Sequence, residues 1–255
     1  MKLIQQAIIM LTLSTLIQVS HADTITIRAD KWFPINGEPK DEKPGYMIEI
    51  ANAIMSEHGH QIDYKMMPWQ RSLLEVKQGN YDCLVGVSKS EAPDFIYPTE
   101  SWGKVGSTFY VKKGNTWTFK GIDSLENQRL GVIGGYDYSD DLDAYIENKQ
   151  SSPMVKVISS NNALEKNLRK LVAGRITVTV GADLVVKSKL NELGLSNDVV
   201  EAGLLLEPED IYIACSPAKN VSQNYVQLFS DGIKKLRETG KLKTILDKYG
   251  LDDWL

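Results

Sequence analysis

One pattern constrains this chain more than any other: strand, helix, strand, helix, strand, written twice. In the first copy, residues 24–29 alternate apolar and polar as TITIRA. Residues 46–58 then place Met47, Ile50, Ala51, Ile54 and Met55 at helical spacing before Gly59 ends the run. A second strand follows at 61–66, a helix at 71–77 closed by Gly79, and a third strand at 82–87. The second copy runs through a strand at 129–133, a Gly134-Gly135 turn and a helix at 139–148. That helix opens with Asp140 and Asp141, whose charge suits the helix dipole. A strand at 155–158, a helix at 161–173 stopped by Gly174 and a strand at 176–180 complete it. Parallel neighbours need crossover connections, so this order predicts two α/β units, each a sheet flanked by helices.

The segments between the copies say how they join. Residues 108–111 read as an extended crossing, and a matching run at 211–215 comes back. The tail at 222–249 is two amphipathic helices split at Thr239-Gly240. Two lobes joined by two crossings make a hinge, with a cleft between facing strand ends. In open parallel sheets, ligands bind outside the carboxyl ends of the strands. In the first lobe the loops there are 30–34, 67–70 and 88–93.

The N-terminus has Lys2, an apolar run at 7–19 and then Ser20-His21-Ala22, the layout of a secretory signal peptide ending near Ala22. A membrane anchor is the competing reading, opposed by the short run and by Thr12, Ser14, Thr15 and Gln18 within it. No later segment is apolar enough to span a bilayer. The formal charge of −4 is spread along the chain without a Lys/Arg block, which argues against nucleic acid as a partner. Cys83 and Cys215 lie in strand-like runs, and either a disulfide or two buried thiols fits. His58 and His60 at i, i+2 do not share a helix face, and no metal site is expected.

Several residues near the first-lobe loops carry binding chemistry. Trp32, Phe33 and Trp69 offer large, stiff aromatic surfaces that stack planar or cationic groups, with Trp102 a weaker candidate. Arg71 can hold a carboxylate or phosphate if it faces the cleft, and otherwise is a solvated helix residue. Asp30 can accept from a ligand amine or cap its own loop. Gly86 allows close backbone approach, and Ser88 adds a hydroxyl. The turn at 134–139 directs N–H groups at the cleft as an anion site, unless Asp137, Asp140 and Asp141 face inward and oppose it.

Taken in order, ADKWFP (29–34), PGYMIEIANAI (44–54), MPWQRSLLEVKQGNYDCLVGV (67–87), TFYVKKG (108–114), RLGVIGGYDYS (129–139) and LVAGRITVTVGAD (171–183) resemble the periplasmic solute-binding proteins of the polar amino-acid class, family 3. The tail, with IYIACSPAKN and LRETGKLKTILDKYG (236–250), fits the same pattern, so the likeness covers the mature length. The resemblance implies a two-lobed periplasmic-binding-protein fold of type II, a monomer without a cofactor, and delivery of a small ligand to an inner-membrane ABC permease. It divides the chain into a signal peptide at 1–22, lobe 1 at 23–110, lobe 2 at 111–211, and a return crossing with C-terminal helices at 212–255 packing on lobe 1. Gly86 and Ser88 correspond to ligand-contacting positions of the family. Tyr136 stands where its second lobe carries Thr or Ser after the first turn.

Two departures qualify the cargo. The loop SKSEAPDF puts Ala92 and Pro93 where amino-acid binders carry the Arg that grips the α-carboxylate, with Lys89 a point-charge substitute at most. The family Asp that holds the α-amino group falls on Ala182, with Asp183 one residue on. The expectation is therefore a captured polar molecule, amino-acid-like or a derivative, with an unmodified amino acid disfavoured. A periplasmic partner of a membrane sensor needs the same hinge. An exported dehydratase-like enzyme on this fold would need Asp183 or Glu91 buried as a general acid.

Overall fold

A computed structural model describes residues 22–160 and 162–255. The signal-peptide reading falls, apart from Ala22, outside the described residues. Strands β1 (Thr24–Ala29), β2 (Gln61–Met66) and β3 (Cys83–Val87) pair in parallel, linked by helices α1 (Tyr46–Glu57) and α2 (Trp69–Lys77). Strands β5 (Leu130–Ile133), β6 (Val155–Ile158) and β7 (Val178–Ala182) repeat this arrangement, linked by α3 (Asp140–Lys149) and α4 (Ala163–Val172). Between the flanks lie two long strands, β4 (Gly103–Lys112) and β8 (Val199–Cys215), antiparallel to each other. The order across the eight strands is β2-β1-β3-β8-β4-β7-β5-β6.

The two crossings are longer than their hydrophobic signatures. β8 spans 17 residues, pairing Val199 with Lys112 at one end and Cys215 with Cys83 at the other. The two crossings thus form one ribbon that unites both flanks in a mixed sheet, rather than two separate connectors. The ladder shifts register between Val105 and Ser107, between Ser107 and Thr108, and between Thr108 and Tyr110. The cysteines left open by the sequence are joined by a disulfide, Cys83–Cys215, fastening β8 to β3.

Each lobe has its own core. In lobe 1, Ile25, Ile27, Met47, Ile50 and Ile54 pack with Phe229, Ile233 and Leu246 of α6 (Ser222–Glu238) and α7 (Lys241–Asp247). Ile25 and Ile27 are 0 % exposed, and such burial stabilises by about 1.5–3 kcal/mol per side chain. The C-terminus closes over this core: Trp254 donates to the Ser101 carbonyl and Tyr249 to Glu49. In lobe 2, Phe109, Leu130, Val132, Leu142 and Val178 form one core cluster, while Tyr110, Leu168 and Val186 anchor another. Helix α5 (Asp183–Leu193) was not anticipated; it begins directly where β7 ends. No helix among the described residues is long and apolar enough to cross a membrane.

Candidate functional site

Where the carboxyl ends of β1 and β3 face the turn after β5, the two lobes enclose a cavity of about 620 Å³. Its inner wall begins at Asp30, the residue after β1. The carboxylate of Asp30 accepts a 2.7 Å hydrogen bond from the Tyr136 phenol of the other lobe. Burial raises the Asp30 pKa, an effect opposed by this bond. Burial and the nearby Asp30 charge push the Tyr136 phenol up as well, so it stays a donor.

A tight turn follows. Trp32 N–H donates to the Asn36 carbonyl at 2.9 Å, while Ile35 N–H donates back to Trp32 at 3.0 Å. The turn lays the Trp32 ring over Gly86, where an added Cβ would sit 3.1 Å from Cε3. Gly86 has φ +82°, a conformation open mainly to glycine, so the close approach and the backbone shape require the same residue.

Trp69 opens α2 rather than sitting in the loop before it. Its indole N–H donates at 2.6 Å to Glu91. Burial lifts the Glu91 carboxyl to about 7, with Asp137, Glu209 and Asp30 adding repulsion and the Trp69 bond lowering it. Ser88 Oγ accepts from Glu91 N–H at 3.2 Å and lies 2.7 Å from Ser90 Oγ, which donates to Glu209 at 2.9 Å. Across the cleft, Gln70 donates to the Gly135 carbonyl at 2.9 Å. The lobes are thus in contact around the cavity.

Six of the residues expected from the sequence line this space: Asp30, Trp32, Trp69, Gly86, Ser88 and Tyr136. Three do not. Phe33 packs 5.8 Å from the Tyr249 ring. Arg71 is exposed and pairs with Glu75 at 3.5 Å, because it lies two residues, about 200°, around the helix from Trp69. Asp183 sits in the first turn of α5, its carboxylate 2.7 Å from the N–H of Leu184, and does not line the cavity. Trp102 is fully buried against Phe229. Lys89, the substitute cation for the missing Arg, lies over the Tyr212 ring at 4.6 Å.

The turn at 134–139 faces the cavity, but so do Asp137 and Asp140, which opposes an anion there. Asn36, Glu207 and Glu209 also line it, and the sequence reading missed all three. The two glutamates lie on β8 ahead of 211–215, the part that the sequence marks as extended. The missed signal was the apolar run Leu204-Leu205-Leu206 before them, which marks a strand continuing toward the crossing.

The model of the bacterial extracellular solute-binding proteins, family 3, matches residues 25–252. Comparison with curated protein sequences yields no match. Among solved structures, the chain is similar to an ABC uptake transporter substrate-binding protein from Streptococcus pneumoniae with bound histidine. That likeness has 20 % identity and a TM-score of 0.73, covering 90 % of this chain and 93 % of the other. A structure concerning glutathione import via GshT and the cystine importer TcyBC of Streptococcus mutans aligns at 17 % identity and TM-score 0.72, covering 89 % and 95 %. A histidine kinase sensor domain similar to periplasmic binding proteins aligns at 21 % and 0.67, covering 89 % and 95 %. These likenesses carry the fold, and the family match reaches almost from the first strand to the C-terminus: the chain belongs to the bacterial extracellular solute-binding proteins, family 3.

Proposed function

We propose that this protein is exported to the periplasm, captures a small polar solute between its lobes and hands it to an inner-membrane ABC permease without chemical change. The observation that supports this most is the cavity itself. It draws walls from both lobes, is bridged by Tyr136 and Asp30, and has a volume suited to a small metabolite. A solute held there contacts both lobes at once, so it favours the closed state by its extra contacts in that state. Asp30, Trp32, Trp69, Gly86, Ser88 and Tyr136 are the residues proposed to touch it. A monomer suffices, since the chain supplies both walls.

The test is native mass spectrometry of protein purified without refolding, followed by small-angle scattering of empty and loaded samples. A bound solute of a few hundred daltons and a smaller radius of gyration on loading are expected. Absence of any solute, with no compaction across a metabolite panel, overturns the reading.

The enzyme alternative has one observation in its favour: Glu91 is buried in the cavity with a carboxyl raised to about 7. The other acid it named, Asp183, lies outside the cavity. Mass spectrometry of solute recovered after prolonged incubation distinguishes the two readings, with unchanged solute expected. A sensor partner would use the same cavity and differ only in its membrane target, which a cross-linking pull-down identifies.

A further inference from the structure

The cavity's polar groups ask for one sign of charge. Its lining carries Asp30, Glu91, Asp137, Asp140, Glu207 and Glu209, and among the described residues no Lys, Arg or His. Asp30 and Glu91 lie inside, whereas the other four are exposed and form the rim. Burial raises both inner carboxyls, and the charges of Asp137, Glu209 and Asp30 raise Glu91 further; with no cation in the described lining, a bound positive charge would favour the ionised form of both.

Several side-chain donors of the lining are already committed. Tyr136 gives its proton to Asp30, Trp69 to Glu91 and Ser90 to Glu209. Because Ser90 donates to Glu209, Ser88 is left to donate to Ser90. A ligand carboxylate would meet these side chains with their donors turned elsewhere.

Asn36 supplies an independent observation. It is 1 % exposed, lines the cavity, and its Oδ1 has no hydrogen-bond partner. The amide orientation is fixed: Tyr64 donates its own proton to the Gly37 carbonyl at 2.8 Å, so at 3.2 Å it accepts from Asn36 Nδ2. The same Nδ2 also donates to the Asp30 carbonyl. Oδ1 is therefore a buried acceptor without a donor, in a residue that lines the cavity, a costly arrangement if left unfilled.

The walls between these acceptors are aromatic: Trp32, Trp69, Tyr136 and Tyr138. Aromatic faces hold organic cations. No three carboxylates among the described residues converge as a metal-ion ligand set. From this combination we infer that the solute is an organic ammonium compound without a carboxylate, its N–H groups directed at Asp30, Glu91 and Asn36. The inference rests on the solute-binding reading and narrows it.

Matched pairs test it. Thermal-shift and calorimetric titrations compare agmatine with arginine, 1,5-diaminopentane with lysine, histamine with histidine and tyramine with tyrosine. At least one amine is expected to bind at least tenfold tighter than its amino acid. Asp30→Asn and Glu91→Gln should each weaken that amine at least tenfold without lowering the melting temperature of the empty protein. Glu201→Gln, on β8 but outside the cavity and paired with Lys187, should leave affinity unchanged. An amino acid that binds as tightly as its amine overturns the inference while the solute-binding reading stands. So does equal stabilisation by magnesium or calcium alone. A panel in which no amine binds also overturns it; the broader reading is then judged separately, by the solute recovered in native mass spectrometry.

Discussion

The Tyr136 phenol donates a 2.7 Å hydrogen bond to Asp30 Oδ2, joining residues 106 positions apart from opposite lobes. Closure therefore brings a donor to a buried carboxylate that otherwise has little to compensate its desolvation. Hydrogen bonds to charged groups contribute about 1.5–3 kcal/mol. Tyr136→Phe should move the population toward the open form and weaken solute binding by roughly 10- to 100-fold by the same figure. Small-angle scattering of the empty variant should show a larger radius of gyration than the wild type. An unchanged radius and affinity would show that the bond does not hold the lobes together.

Glu91 makes the empty protein's stability fall with rising pH. Its carboxyl stands at about 7 in the folded chain against an ordinary value of 4.5, because burial disfavours its charged form. The native state thus holds the proton more tightly than the unfolded state. That contribution is complete below about pH 4.5 and is lost as pH rises through about 7. Asp30, also raised, acts in the same direction. Melting curves from pH 5 to pH 8 should show Glu91→Gln gaining on the wild type, with the gap widest at the alkaline end.

Trp69 acts in two ways, as a wall of the cavity and as the donor to Glu91. Trp69→Ala should abolish solute-induced stabilisation, because it removes a wall of the cavity and the donor to Glu91 together. The ring is only partly buried, so the empty variant should remain folded by circular dichroism. Solute stabilisation that survives Trp69→Ala and Ser88→Ala unchanged would place the site elsewhere.

The Cys83–Cys215 bridge closes a span of 132 residues that holds all of β4 to β7. Constraint of the unfolded chain by so long a loop is worth roughly 4–5 kcal/mol. Reduction, or the Cys83→Ala/Cys215→Ala pair, should lower the melting temperature by about 10 °C or more on the usual scaling for this chain length. Calorimetry with and without reductant checks this. Solute selectivity should persist in the reduced protein below its melting point, because neither cysteine lines the cavity.

The repeated β-α-β-α-β order was legible because helix and strand periodicities differ and each segment kept to one of them. Trp32, Trp69 and Gly86 were legible as site candidates because aromatics and glycine at strand ends have few structural uses there. Arg71 was placed wrongly by helix phase: once Trp69 turns to the cavity, a residue two positions on turns to water. Glu207 and Glu209 were hidden because Pro208 between them reads as loop, although β8 runs through it. The unpartnered state of Asn36 Oδ1 is a property of packing around Tyr64 and Asp30. No spacing in the sequence records it.

The register shifts in the β4–β8 ribbon fall at Val105, Ser107, Thr108 and Tyr110, which pair with Glu209, Leu206, Leu204 and Glu201. Val105, Ser107 and Leu206 also line the cavity. A ladder interrupted at these points is softest in torsion there, while the paired stretches on either side stay stiff. The interrupted stretch of the ribbon is therefore part of the cavity wall, not remote from it. A solute that wedges against these strands sets the resting twist of the ribbon by its own thickness. Solutes of different bulk would then leave the lobes at different angles, giving a membrane partner a graded shape to read instead of a single shut state.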